Sequence, residues 1–296
     1  MEAGQLLRGQ SEQACTPHLP EGMLSVLPGG PDVALRLASH PQVGAVSLTG
    51  GVAAGEAVLR AAGVKPVLLE LGSNAANIVC ADADLGDAAQ RIAVAAFGAS
   101  GQQCISAQRI IVERPVVEDF VERFTAAAQA LAIGDPHDRA TVIGPLVHER
   151  RKQGVLRFIE DAEARGGKLV LDGRSDDLLF GPTIVVDADP ESLVCRDEVF
   201  GPVAVVLAAD SPAHAVAIAN DSPFGLQAAC FTRDLSTAMR VAEDLRSGAV
   251  WINESTRFRL DTYPFGGYGQ SGIGREGVRY AMEELTHLKF VGLRPA

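Results

Sequence analysis

The chain has 296 residues, 47% hydrophobic and 21% charged, enough apolar sequence for a sizeable core in one or two domains and too much for a disordered segment. Its formal net charge is −11 and no basic run exceeds Arg150-Arg151-Lys152, so a nucleic-acid backbone would be repelled. No apolar run reaches about 18 residues, and the start carries Glu, Gln and Pro instead of a basic segment followed by an apolar one, so neither a membrane span nor a signal peptide is expected.

Residues 1–19 show little periodicity beyond two turn-prone spots, Gly9-Gln10-Ser11 and Thr16-Pro17, compatible with a short helix and a loose tail. Leu24-Ser25-Val26-Leu27 predicts a short strand ended by Pro28-Gly29-Gly30-Pro31, and Asp32 predicts the cap of a helix running through Ser39. A strand over 43–48 then feeds Thr49-Gly50-Gly51 and a helix over 56–62. A strand, a glycine turn and a helix can aim backbone N–H groups at a dinucleotide phosphate, and the same pattern also fits an ordinary tight connection.

Val67-Leu68-Leu69 predicts a buried strand that breaks at Glu70-Leu71-Gly72-Ser73-Asn74. A helix over 91–99 delivers Gly101-Gln102-Gln103-Cys104-Ile105-Ser106. A carboxylate and a thiol, each at the end of a rigid element, suit covalent catalysis at a carbonyl: the thiolate attacks, and the carboxylate takes a proton from the thiol or from water. By spacing alone Cys104 also fits an inert core thiol.

Beyond it, strands over 109–113, 168–171, 203–207, 227–231 and 249–253 alternate with helices over 116–131, 148–165, 213–219 and 235–245, and the run Gly181-Pro182-Thr183-Ile184-Val185-Val186 follows the strand over 168–171. This is the pattern of an α/β fold with helices covering a mostly parallel sheet. His137 and His148 read as solvated residues. Five glycines between 266 and 274 predict a tightly turned loop, followed by a helix over 275–285 and an alternating strand over 287–293. The five cysteines (Cys15, Cys80, Cys104, Cys195, Cys230) form no C-x-x-C pair and no cluster with histidine, so reduced thiols, a cytoplasmic location and no metal site are expected.

The segments Glu70-Leu71-Gly72-Ser73-Asn74-Ala75 and Gly101-Gln102-Gln103-Cys104-Ile105-Ser106-Ala107-Gln108-Arg109 resemble the two active-site signatures of the aldehyde dehydrogenase superfamily. Glu198-Val199-Phe200-Gly201-Pro202, Trp251-Ile252-Asn253, and Pro264-Phe265-Gly266-Gly267 with Gly274-Arg275-Glu276 agree with it in family order, from about residue 20 to the end. The look is closest to the branch acting on lactaldehyde, phosphonoacetaldehyde or succinate semialdehyde. The resemblance implies a three-layer α/β/α catalytic domain over 73–270, an incomplete Rossmann-like cofactor domain over 1–72, and a C-terminal helix and oligomerisation strand over 271–296. It implies NAD or NADP as cofactor, a small aldehyde as substrate, and a homodimer or homotetramer.

By the same resemblance Cys104 forms a thiohemiacetal, hydride leaves for the nicotinamide, and Glu70 activates the water that hydrolyses the thioester. Gly29, Thr49, Gly50, Gly51, Leu71 and Gly72 line the cofactor cleft, Glu198 bonds the nicotinamide ribose, and Phe200 packs beside the ring. Read alone, Glu198 is a surface or turn carboxylate. Ile105 and Phe265 fall to the substrate side with Arg257 and Arg259, which could face an anionic tail or form a solvated basic loop.

Four departures stand out. Gly51 replaces a frequent serine, Pro31 and Ala34 replace frequent glycines, and Gly269 replaces a frequent lysine. The only Trp is Trp251 and every Asn lies at or after Asn74, so the upstream Pro-Trp-Asn segment that supplies a second oxyanion donor is missing, with the lysine-proline segment that binds the adenosine ribose. The expectation is a chain lacking the first part of the dinucleotide domain, with weak or no turnover. Two other readings remain: a cofactor-independent thiol esterase, and an inactive remnant that associates with intact family subunits.

Overall fold

The computed structural model describes residues 19, 20 and 22–295. In chain order its strands are β1 (Val46–Thr49), β2 (Val67–Glu70), β3 (Ala76–Val79), β4 (Arg109–Glu113), β5 (Lys168–Leu171), β6 (Thr183–Val186), β7 (Val203–Ala209), β8 (Phe224–Gly225), β9 (Gln227–Phe231), β10 (Ala249–Ile252), β11 (Tyr268–Gly269) and β12 (Gly272–Ile273). Seven of them form one sheet in the order β10-β9-β3-β4-β7-β6-β5, parallel throughout except for β5.

Helices cover both faces of this sheet, which is why its central strands are apolar at nearly every position. On one face Val79, Ile110, Val112, Ala204 and Phe231 pack under the helices Leu85–Phe97 and Val117–Gln129, where Phe97 and Phe120 both stack on Phe124. On the other, Ile78, Cys80, Ile111 and Cys230 pack under Pro212–Asn220 and Leu235–Asp244. Toward the β5 edge, Val185, Val203 and Val205 receive Val155 and Ile159 of the helix Glu149–Ala164. The layers are α/β/α, as the alternating pattern predicts.

A second sheet, β1-β2-β12, sits apart from the first. β1 and β2 run parallel, with Thr49 opposite Glu70, and the helix Val52–Ala62 follows β1 directly. β12 returns from the glycine-rich loop to pair antiparallel with β2, Gly272 opposite Glu70. Gly272 has φ 142°, and a Cβ there would overlap the Leu69 carbonyl, so only glycine lets the returning chain approach the glutamate strand.

Several expectations are corrected. Leu24-Ser25-Val26-Leu27 forms no strand: these residues are mostly exposed, and among the described residues nothing pairs with them. The strand over 287–293 is not formed either, with Leu288, Phe290 and Leu293 open to solvent and, among the described residues, no ladder partner to satisfy an extended backbone. The helix Pro31–Ser39 is capped by Gly30, with Asp32 inside its first turn. The helix expected over 91–99 starts at Leu85, because the Asp84 side chain accepts from the Asp87 amide and caps it. The last helix is only Val278–Glu284, since Glu276 is paired with Phe265 through backbone hydrogen bonds in both directions. His148 is exposed, as read, and also serves as the N-cap of Glu149–Ala164, its Nδ1 accepting from the Arg151 amide. The reading of residues 1–19 falls almost wholly outside the described residues.

Candidate active site

The glutamate arrives on β2. Because Thr49 and Glu70 are register partners at the ends of parallel strands, the turns that leave them, Gly50-Gly51 and Leu71-Gly72, open on the same side. The second turn is fastened from outside: the Leu71 amide donates to the Ser271 carbonyl at 3.0 Å, and the Ser271 hydroxyl donates to the Gly72 carbonyl at 2.7 Å.

The cysteine arrives through strain. After the helix Leu85–Phe97, both Ala99 (φ 53°) and Ser100 (φ 58°) adopt left-handed backbone, an uncommon conformation for non-glycine residues. The Ala99 amide donates to the Val142 carbonyl at 3.0 Å and the Ser100 hydroxyl to the Gly144 carbonyl at 2.7 Å, which holds this turn in place. Cys104 follows, half-buried, at the turn's end. The second carboxylate, Glu198, lies on the loop between the helix Leu193–Arg196 and β7.

These three groups share one cavity of about 650 Å³. Its walls include Thr49, Gly50, Gly51, Leu71, Gly72, Ile105, Phe200, Arg257, Arg259 and Phe265. Gly29 is the residue singled out from the sequence that does not line it. It lies in the exposed turn before Pro31–Ser39, with its backbone against Val33, and no strand ahead of it carries it to the wall.

Burial governs the electrostatics. Glu70 is 4% exposed and neither carboxylate oxygen has a hydrogen-bond partner among the described residues, so its carboxyl is pushed up to about 8, with repulsion from Glu276 adding to the effect and Arg259 and Arg275 opposing it. Burial, then the Glu198 and Glu70 carboxylates, push the Cys104 thiol up to about 11. Glu198 rises to about 7 through burial, held back by the Ser73 amide, which donates to its Oε1 at 2.9 Å. At rest the site therefore holds a neutral thiol beside a carboxyl that is mostly protonated at pH 7.

The two arginines differ. Arg259 is paired with Glu276 at 2.9 Å and lies over the Phe265 ring at 4.0 Å. Arg257 donates to Gln103 Oε1 at 2.7 Å and to the Val94 carbonyl at 3.3 Å, both neutral acceptors. Its cation thus faces the cavity without a carboxylate partner among the described residues.

Three further lining residues escaped the sequence reading: Gln102, Gln103 and Arg151. The glutamines stand inside the cysteine segment, where adjacency was the available signal. Arg151 looked like part of a surface basic run, yet its guanidinium lies 5.3 Å from the Phe200 ring centroid. A second cavity of about 500 Å³, lined by Arg109, Cys195 and His214 among others, contains none of the site residues predicted from sequence.

The sequence profile of the aldehyde dehydrogenase family matches residues 11–291. The chain belongs to that family. An aspartate-semialdehyde dehydrogenase of Pseudomonas canavaninivorans is 39% identical over 275 residues, which cover 93% of this chain and 58% of that protein. A lactaldehyde dehydrogenase of Methanocaldococcus jannaschii is 38% identical, covering 93% of this chain and 59% of its own length. A solved glyceraldehyde-3-phosphate dehydrogenase from the same organism, complexed with NADP, superposes with a TM-score of 0.89 at 36% identity, covering 97% of this chain and 62% of that one. The chain therefore spans about three-fifths of the length of these relatives.

Proposed function

We propose that the chain carries the catalytic half of an NAD(P)-dependent aldehyde oxidation, with Cys104 as nucleophile and Glu70 as base. The convergence of Cys104, Glu70 and Glu198 on one cavity carries this reading. The residues present also suit a dinucleotide. Gly51 is the N-cap of Val52–Ala62 with no side-chain capping bond, leaving helix N-terminal amides for a phosphate, and Glu198 offers a carboxylate to ribose hydroxyls. Thr49, Gly50, Leu71, Gly72 and Phe200 would complete that wall. When bound, the dinucleotide supplies the hydride acceptor.

The chain's own steps follow from its groups. Cys104 loses its proton to Glu70 or to solvent; moving it to Glu70, from about 11 to about 8, costs roughly 4 kcal/mol in the resting site. The thiolate adds to the aldehyde carbon, giving a thiohemiacetal whose oxyanion meets the Cys104 backbone N–H. After the aldehydic hydrogen has left as hydride, Glu70 draws a proton from water, which cleaves the thioester and frees the acid. No asparagine lines the cavity among the described residues, so a second side-chain donor of that type is missing there, and turnover is expected to be slower by roughly a hundredfold.

The substrate reading is an aldehyde with an anionic tail, supported by the uncompensated Arg257. The exposed Leu288, Phe290 and Leu293 support homo-oligomerisation through the C-terminal segment, checked by molar mass in solution. Free thiols at Cys80, Cys104, Cys195 and Cys230 suit a cytoplasmic setting. Among the described residues no helix is long and apolar enough to cross a membrane, and no group of three or more metal-ligating side chains comes together.

The test is NAD(P)H formation from succinate semialdehyde by the chain and by Cys104→Ala. Slow formation lost in the variant supports the proposal; formation unchanged in the variant removes the nucleophile assignment. The esterase reading is favoured if activated esters are turned over at Cys104 while NAD(P)+ has no effect.

A further inference from the structure

We infer that Gln108 is a positioning residue for the dinucleotide-binding carboxylate: its side-chain amide braces the loop carrying Glu198 against the segment that follows Cys104. The inference rests on the reading of Glu198 given above. Gln108 stands four residues after Cys104, just ahead of β4, and is only 5% exposed. Its amide nitrogen donates to the Val194 carbonyl at 2.8 Å and to the Asp197 carbonyl at 2.7 Å, and its Oε1 accepts from the Val199 amide at 3.0 Å. The side chain thus grips the backbone immediately before and immediately after Glu198.

The backbone of Gln108 completes a closed circuit. Its amide donates to the Ala75 carbonyl at 3.2 Å, and its carbonyl accepts from the Val205 amide at 2.8 Å. Ala75 lies two residues past Ser73, whose amide is the single hydrogen-bond donor to the Glu198 carboxylate among the described residues. The Glu70-Leu71-Gly72 turn, the Cys104 segment and the Glu198 loop are therefore fixed to one another through one side chain.

The chemistry leaves little choice of residue. Two carbonyls on one side and an N–H on the other require an amide, in one orientation. A glutamate would set an ionised oxygen against two carbonyl oxygens; a leucine would leave two buried backbone groups and one part-buried carbonyl without this partner. Nothing in this circuit touches the Cys104 sulfur, and its one link to the thiol is the Glu198 carboxylate, which pushes the thiol up, so loosening the loop is not expected to slow the thiol's reactions.

The experiment uses the full chain with Gln108→Leu and Gln108→Glu. Amide hydrogen exchange is read at Ser73, Val199 and the β4 residues, NAD+ binding by titration, and Cys104 alkylation by iodoacetamide. Exchange at Ser73 and Val199 is expected to accelerate at least roughly tenfold in Gln108→Leu while β4 stays protected. The NAD+ dissociation constant rises roughly tenfold, and alkylation does not slow. In Gln108→Glu, acidification protonates the new carboxyl, restores one donor and raises the protection of Ser73 and Val199 relative to the intrinsic exchange rate at each pH. Unchanged exchange at Ser73 and Val199 in both variants overturns the inference whatever happens to NAD+ affinity, and so does loss of β4 protection in both. Accelerated local exchange in a chain whose parent binds no NAD+ leaves the brace supported and overturns the dinucleotide reading of Glu198.

Discussion

The Ser73 amide donates to Glu198 Oε1 at 2.9 Å, joining two segments 125 positions apart at the wall of the Cys104 cavity. Between this bond and Glu70 lies Gly72, where an added Cβ would run into the Glu198 carboxylate. Gly72→Ala therefore displaces Glu198 without touching the thiol. NAD(P)+ affinity, followed by fluorescence titration, is expected to fall at least roughly tenfold, about 1.4 kcal/mol, while Cys104 alkylation does not slow.

Glu70 can serve as a base only when ionised, and burial holds its carboxyl at about 8. The rate of thioester hydrolysis is expected to rise with pH through a midpoint near 8 and to lose that limb in Glu70→Gln. The stability consequence has the same origin. Between the ordinary value of 4.5 and about 8 the folded chain binds more protons at this group than the unfolded chain does, so its contribution is most favourable below 4.5 and declines as pH rises to 8. Urea unfolding across that window should show a shallower decline in Glu70→Gln than in the parent.

Arg257 and Arg259 both line the cavity, but Glu276 already neutralises Arg259. Arg257→Leu is expected to raise KM for succinate semialdehyde by roughly ten- to a hundredfold, the loss of a charge-assisted contact worth about 1.5–3 kcal/mol, with little change for a neutral aldehyde of equal length. Arg259→Leu should have the smaller effect. Steady-state kinetics on both aldehydes check the order.

Much of this arrangement was legible where local pattern and tertiary demand coincide. Strands 109–113 and 227–231 have the bounds read from the sequence, because buried parallel strands need near-continuous apolar runs, and the antiparallel edge strand 168–171 has them too, through its alternation of exposed and half-buried residues. The strand Ala76–Val79 went unread: four residues containing Asn77 carry no period, and the polar side chain is tolerated because Thr256 satisfies it. The two unformed strands, over 24–27 and 287–293, were read from alternation, which states which face wants burial and says nothing about whether a neighbouring strand exists. Cys104, Glu70 and Glu198 were found through family signatures, since no spacing rule brings residues 70, 104 and 198 together. Arg151 was missed because its company, Phe200, is distant in sequence.

Asn77 is fully buried and exchanges two hydrogen bonds with Thr256, Nδ2 donating to the hydroxyl at 3.2 Å and Oδ1 accepting from the amide at 3.4 Å. Asn77→Ala leaves both Thr256 groups unpartnered in the core beside Arg257. A loss of about 2–4 kcal/mol is expected in urea unfolding, with a larger KM for the anionic aldehyde as the Arg257 segment loosens.

The shared cavity of Cys104 and Glu70 is tested most directly by acetylation with p-nitrophenyl acetate, followed by intact mass and peptide mapping in the parent chain and in Glu70→Gln. The account predicts an acetyl group on Cys104 in both, cleared on the order of a hundredfold more slowly when Glu70 can no longer draw a proton from water. An acetyl group on another residue, or equal lifetimes in the two proteins, would contradict it.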